Sequence, residues 1–325
     1  MKWGLALKGM AMGIAEAIPG VSGGTIAFIT NIYQELLRTI QSITPSNIAL
    51  LFKDRQLFWK AINGNFLLWL MIGMVAGLIG GILVIGHLLE HHQILLWAFF
   101  FGLVLASAIY LGKDVKWSIT GGILAIAGAI LTYIIAQLTP ADGSDNLLYI
   151  FFAGCLAVSA LMLPGLSGSF VLLLLGLYDQ TISALKSIVA ERTLTDIVPL
   201  FVLGCGILTG LFSFARIMNY LFSRFPQRTM ATMIGVLVGS LTKLWPWKLI
   251  ETAFDKEQGM VVSIQNTVLP DNERFKIVRE TNLLPGSFTE YQDNRLLEVL
   301  LCFAIGFILV LALSKLSENR SKERT

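Results

Sequence analysis

Proline, glycine and hydroxyl residues recur together at two places: PGVSGGT at 19–25 and PGLSGS at 164–169. Neither stretch carries a cation, a thiol or an acid. What they offer is exposed backbone and hydroxyl groups. Proline has no N–H and drives its predecessor out of the α region, so Pro19 and Pro164 are structural breaks that end a helix. Glycine permits positive φ and close approach to the main chain. Ser22 and Thr25, or Ser167 and Ser169, then open the next helix with N-cap chemistry. A helix start presents free N–H groups and about half a positive charge, which suits an anion. The lining would be Gly20, Ser22, Gly23, Gly24 and Thr25 in the first motif, and Gly165, Ser167, Gly168 and Ser169 in the second. Such a motif can also be a plain structural break whose small residues help helices pack. Two copies make binding the better reading.

Two charged residues belong with them. Glu16 lies three residues before Pro19, and a carboxylate within a membrane segment is costly and usually functional. It is placed to carry a coupling proton, because a fixed anion there would repel a bound one. The second copy has Leu161 at the matching position, so any proton site is single. Arg216, in a later apolar run, either reaches the anion bidentately or snorkels to the interface.

The elements that must hold these residues are membrane helices. The 325-residue chain is 55% hydrophobic and 14% charged, against about 25% charged in soluble proteins. Six apolar runs, 66–88, 93–111, 117–138, 197–221, 229–247 and 296–314, approach the ~20 residues that span a bilayer. Strict polar–apolar alternation is missing, which excludes a β-barrel. The expected class is an all-α polytopic membrane protein, with Trp59, Trp69, Trp97, Trp117, Trp245 and Trp247 as interfacial anchors. Cys155, Cys205 and Cys302 lie in apolar runs and suggest no disulfide framework.

Two further segments, 4–38 and 147–186, are split by the Pro-Gly motifs into arms of about 15 residues. Each arm reaches ~22 Å, short of the ~30 Å hydrocarbon layer, so both segments read as re-entrant hairpins. Charge supports this. The loops at 38–64, 112–116 and 222–228 and the tail with Lys315, Arg320, Lys322 and Arg324 are basic, hence cytoplasmic. The loops at 89–92 and 139–146 have acids only, hence external. Both termini then lie inside, and the polar loop 248–295 outside.

A hairpin and three crossings, then a hairpin and three more, place the hairpins on opposite faces. This is an inverted-topology repeat, 1–138 and 139–325. At a constant offset of 145, Pro19, Gly20, Ser22, Gly23 and Tyr33 meet Pro164, Gly165, Ser167, Gly168 and Tyr178. Near offset 133, GLVLAS at 102–107 meets GVLVGS at 235–240. Two opposed helix starts would offer about one positive charge between them, which suits a phosphate. Glu35 and Arg38 are expected to form a cytoplasmic-edge ion pair. His91 and His92 lack a third ligand, so no metal and no cofactor are assigned. The glycine run at 77–86 lies within a transmembrane segment and is no nucleotide loop. A nucleic-acid partner is not expected, and an oligomer is possible without being indicated.

KGMAMGIAEAIPGVSGGTIAFITNIYQELL, followed by LPGLSGSFVLLLLGLYDQ, resembles the PopT family of polyprenyl-phosphate transporters. The resemblance implies a non-enzymatic lipid carrier translocase in the bacterial plasma membrane. It would return undecaprenyl phosphate from the outer to the cytoplasmic leaflet for cell-wall and glycan synthesis. It carries over Glu16, Pro19, Gly20, Ser22, Gly23, Gly24 and Thr25, and Pro164, Gly165, Ser167, Gly168 and Ser169. The plan also resembles membrane undecaprenyl-pyrophosphate phosphatases, whose PGxSRS motif supplies an Arg for hydrolysis; this chain has Gly168 there and Gly23 in the first copy. A small-anion channel or exchanger is the remaining alternative.

Overall fold

The first broken segment folds as three helices: α1 (Lys2–Glu16), α2 (Gly23–Ile29) and α3 (Tyr33–Ser42). Two short helices, α4 (Pro45–Lys53) and α5 (Arg55–Ala61), lead into α6 (Gly64–His91), α7 (Gln93–Lys113) and α8 (Ile119–Gln137). The second broken segment repeats the trio as α9 (Leu147–Met162), α10 (Gly168–Leu174) and α11 (Tyr178–Lys186). Then come α12 (Ile197–Arg224), α13 (Pro226–Ser240), a 3₁₀ turn (Leu241–Leu244), β1 (Lys248–Asp255), β2 (Met260–Asn266), β3 (Phe275–Asn282), α14 (Pro285–Phe288) and α15 (Leu296–Lys322). The computed structural model describes residues 2–18, 22–186, 197–255, 260–267 and 274–322. Pro19 and Gly20 of the first motif, and Arg324 of the tail, lie outside the described residues.

The chain is a mostly helical, polytopic membrane protein. Among the described residues four stretches are long and apolar enough to cross a bilayer: Gly64–Ile82, Gln93–Lys113, Ile119–Gln137 and Ile197–Arg224. The pair α10–α11, bent by 110°, makes a fifth if counted as one span. The crossing expected at 229–247 is cut short. Its helix α13 has 15 residues, and the chain then tightens into the 3₁₀ turn and leaves as β1.

Neither broken segment has the expected two arms. The return arm breaks again, at Asn31 in the first segment (φ 59°) and Gly176 in the second (φ 69°). These residues also stand 145 apart. A left-handed residue cannot continue an α-helix, and Asn and Gly are the types that adopt this conformation readily. Each seven-residue helix therefore ends, and the chain turns before the matched Tyr33 or Tyr178.

Helix pairing follows glycine. In lipid the seam between two helices gains little from apolar burial and much from close backbone approach. A Cβ on Gly9 or Gly13 of α1 would run into the carbonyls of Leu70 or Met74 on α6, and one on Gly73 or Gly77 of α6 into those of Ala6 or Met10. The seam between α9 and α12 is built likewise. Gly154 abuts Leu203, Gly206 abuts Phe151, and Gly210 abuts Cys155. Gly154 lies 145 beyond Gly9, and Gly206 and Gly210 lie 133 beyond Gly73 and Gly77. Gly102 of α7 similarly meets Phe303 of α15, and Gly235 of α13 meets Ala125 of α8. Gly77→Ala must push α1 off α6, and overpacking of this kind costs about 1–3 kcal/mol. The expected result is a clearly lower melting temperature in detergent; an unchanged melt would mean that the seam is looser than described.

The all-α expectation needs correction at 248–295. This region holds a three-stranded antiparallel sheet of order β2-β1-β3. Lys248, Leu249 and Ile250 are buried, and a register shift between Ile250 and Thr252 marks a bulge. The sheet is tied to the helices by a cluster of Ala98, Trp247, Phe288 and Val299. Trp247 Nε1 donates to Asn294 O (2.9 Å), and Trp245 Nε1 to Leu283 O (2.8 Å). Trp97 and Trp247 are consequently buried and are packing residues rather than interfacial anchors. The expected Glu35–Arg38 pair is also replaced: Glu35 Oε1 accepts from Asn63 Nδ2 at 3.2 Å, and Arg38 is exposed.

Candidate functional site

The local chemistry of the first motif is set by Ser22. It is extended (φ −116°, ψ 139°) and caps α2, its Oγ accepting from Gly24 N–H at 3.0 Å. The same Oγ donates to Leu161 O at 2.6 Å, a residue at the end of α9 just before the second motif. One hydroxyl thus uses its donor and an acceptor to join the two broken segments.

A second cross-link runs beside it. Gly165 N–H donates to Thr25 Oγ1 at 2.8 Å. Gly165 has φ +91°, a conformation that L side chains rarely adopt. Gly24 makes the closest passage: a Cβ there would lie 2.8 Å from Leu161 O and 2.9 Å from Met162 O. The two motifs therefore meet in the interior. Ser22, Thr25 and Ser167 are 0%, 1% and 4% exposed.

The first N–H of α2 is taken by an acid. Gly23 N–H donates to Glu16 Oε1 at 2.6 Å. Glu16, the last residue of α1, is half-buried, and its carboxylate sits over the start of the short helix.

The second motif is more open. Ser167 occupies the N-cap of α10, but its side chain makes no cap bond. Its Oγ instead pairs with Ser169 Oγ at 2.7 Å. Ser169 is exposed, whereas α2 is buried from Gly23 to Phe28. The buried cluster thus leads to the protein surface through two bonded hydroxyls. Gly168 lies close to α9, its notional Cβ 2.7 Å from Ala157 O.

Arg216 is not brought to the cluster. It lies on an exposed face of α12 between buried Ala215 and Met218, and it takes part in none of the bonds described above. Two lysines do approach the short helices. Lys8 Nζ donates to Thr30 O at the C-terminal end of α2 (2.6 Å), where a cation complements the helix dipole. Lys243 Nζ lies 4.9 Å from the ring centroid of Phe170, the residue after Ser169. Neither was singled out in the sequence: Lys243 is far along the chain from the second motif, and Lys8, although on the helix before the first motif, reaches Thr30 only through the turn of the chain. The breaks at Asn31 and Gly176 were legible in principle, through the same 145-residue offset. Among the described residues no group of His, Cys, Asp and Glu is arranged to hold a metal ion.

A family model described as VCA0040-like, undecaprenyl phosphate translocase-like, matches residues 12–262. The polyprenyl-phosphate transporter of Vibrio cholerae serotype O1 is 40% identical over 245 residues, covering 74% of this chain and 77% of that protein. A polyprenyl-phosphate transporter of Staphylococcus aureus is 33% identical over 258 residues, covering 75% of this chain and 87% of that protein. No solved structure matches.

Proposed function

The chain belongs to the undecaprenyl phosphate translocase-like family, and from that premise we propose that it carries polyprenyl phosphate across the membrane, its phosphate held where the two Pro-Gly motifs meet. The observation that carries this reading is the pair of cross-links Ser22–Leu161 and Thr25–Gly165. They gather two loops of hydroxyls and backbone donors into one buried place. The direction is inward, returning the lipid to the cytoplasmic leaflet of a bacterial plasma membrane with both termini inside.

The residues divide the work. Gly20, Ser22, Gly23, Gly24, Thr25, Gly165, Ser167, Gly168 and Ser169 present donors to phosphate oxygens, with Pro19 and Pro164 breaking the helices to free them. Ser22 and Thr25 bond across to the second loop, so a phosphate enters by exchange: cross-loop bonds are given up for bonds to its oxygens. An exchange of hydrogen bonds is nearly balanced, each being worth about 1 kcal/mol net. The binding is thus reversible, as a carrier requires. Exposed Ser169 gives lateral access for the headgroup, while the polyprenyl tail stays in lipid. Lys243, rather than Arg216, supplies the charge near the second loop.

The repeat supports alternating access. Matched seams at offsets 145 and 133 are what two similar halves of inverted topology, 1–138 and 139–325, would give. Rocking one half against the other then exposes the shared site to each leaflet in turn. A phosphate monoester carries −1.5 to −2 charges, and moving it inward opposes an inside-negative potential at ~2.3 kcal/mol per charge per 100 mV. Glu16 lessens this load by taking a proton. Its carboxylate holds the Gly23 N–H that a phosphate oxygen would need, and protonation replaces this charge-assisted bond with a weaker one that a phosphate oxygen can displace.

The test is a leaflet-resolved assay of labelled undecaprenyl phosphate in proteoliposomes. Protein-dependent movement is expected. Release of phosphate from undecaprenyl pyrophosphate, or chloride flux indifferent to the lipid, would point instead to a phosphatase or a channel. Gly23 and Gly168 stand where a hydrolase needs a cation, which weighs against the first.

A further inference from the structure

A polar cavity of about 80 Å³ lies where the turn between α6 and α7 meets the sheet and the start of α15. Its polar lining includes His92, Trp97, Lys248, Glu280, Gln292 and Arg295. Trp97 is 5% exposed, and its indole N–H is buried with no hydrogen-bond partner among the described residues. An indole N–H can only donate, and a buried donor left without an acceptor is destabilising. Trp97 forms part of the cavity wall, and an acceptor seated against that wall would relieve the unpaired donor.

The rest of the lining agrees. Lysine and arginine only donate. Lys248 Nζ lies over the Trp97 ring, 4.5 Å from its centroid, and donates to Lys243 O at 2.7 Å. Gln292 Oε1 accepts from Thr267 Oγ1 (2.8 Å), so that acceptor is already engaged and the amide N–H₂ remains a donor. Arg295 pairs with Glu298, outside the cavity lining. One carboxylate, Glu280, enters the cavity, and it lies 3.5 Å from Lys248 Nζ, which offsets its charge. Donors therefore outnumber acceptors around a space of phosphate size.

We propose that this cavity is a second binding site, for a phosphate oxyanion. Lys248 is joined through the carbonyl of Lys243 to the residue whose ammonium stands over Phe170, beside the second loop. As a landing place for a lipid phosphate on its way to the loops, the site rests on the transport reading above. As an oxyanion site it does not.

The experiment is equilibrium dialysis of radiolabelled inorganic phosphate against the full-length protein in detergent. Trp97→Phe keeps the ring and removes the donor, and Arg295→Gln removes a charge from a half-buried position. Binding is expected in the wild type and about ten-fold weaker in each variant. Competition by geranyl phosphate distinguishes the sources: a tighter competitor than inorganic phosphate marks a lipid headgroup, a weaker one free phosphate. No binding by the wild type, or binding unchanged in both variants, overturns the proposal. If the same preparation still moves undecaprenyl phosphate in liposomes, the transport reading stands without it.

Discussion

Gly24→Ala is expected to reduce transport of polyprenyl phosphate by about two orders of magnitude while leaving the helices in place. The added methyl would meet Leu161 O at 2.8 Å, Met162 O at 2.9 Å and Ser22 Oγ at 3.1 Å. The first two are main-chain atoms at the end of α9 and cannot swing aside as a flexible side chain would. The motifs must part, and the Ser22–Leu161 and Thr25–Gly165 bonds part with them. Each buried group left unpaired costs about 1–3 kcal/mol, so losing both removes a factor of 10² or more from the population with the loops together. Gly122→Ala serves as the control, because a Cβ there meets nothing within 4 Å. Normal transport by Gly24→Ala would show that the loops need not meet.

Glu16→Gln is expected to abolish the response of transport to a pH gradient. Glutamine keeps the size of the side chain, and its Oε1 can still accept from Gly23 N–H, as Glu16 Oε1 does at 2.6 Å. The fold is therefore preserved and the titratable proton removed. If the proton travels inward with the phosphate, acid outside speeds wild-type uptake and acid inside slows it. The variant should move the lipid at one rate under either gradient. A Glu16→Gln protein that answers an imposed gradient as the wild type does would remove Glu16 from the coupling.

Much of this site was legible in the chain. The paired motifs and their offset of 145 gave the positions, and N-cap chemistry correctly placed Ser22 at the start of α2. The meeting of the loops was harder to read. Thr25 looked like a helix-start residue, yet its hydroxyl serves Gly165 across the interface, and pairing across such a gap leaves no local trace. Arg216 drew attention as a charge in an apolar run, but helical phase turns it outward. Lys243 lies within the apolar run 229–247 and went unread, and only the 3₁₀ turn brings it over Phe170. The sheet at 248–282 lay in a stretch read as a polar loop, although Leu249, Ile250 and Ala253 supply buried apolar residues of its first strand. The second break, at Asn31 and Gly176, depends on one left-handed residue, and Asn in an apolar helix does not by itself announce that conformation.

The account's central claim is that one phosphate headgroup is held where the two motifs meet. The most direct test is the leaflet-resolved assay of labelled undecaprenyl phosphate in proteoliposomes, comparing wild type with the double variant Ser22→Ala, Thr25→Val. These substitutions remove both cross-loop hydroxyls and keep the side chains close to their original size. The account predicts that inward movement falls to near the protein-free rate while the protein remains folded. Transport at the wild-type rate by the folded double variant would contradict it.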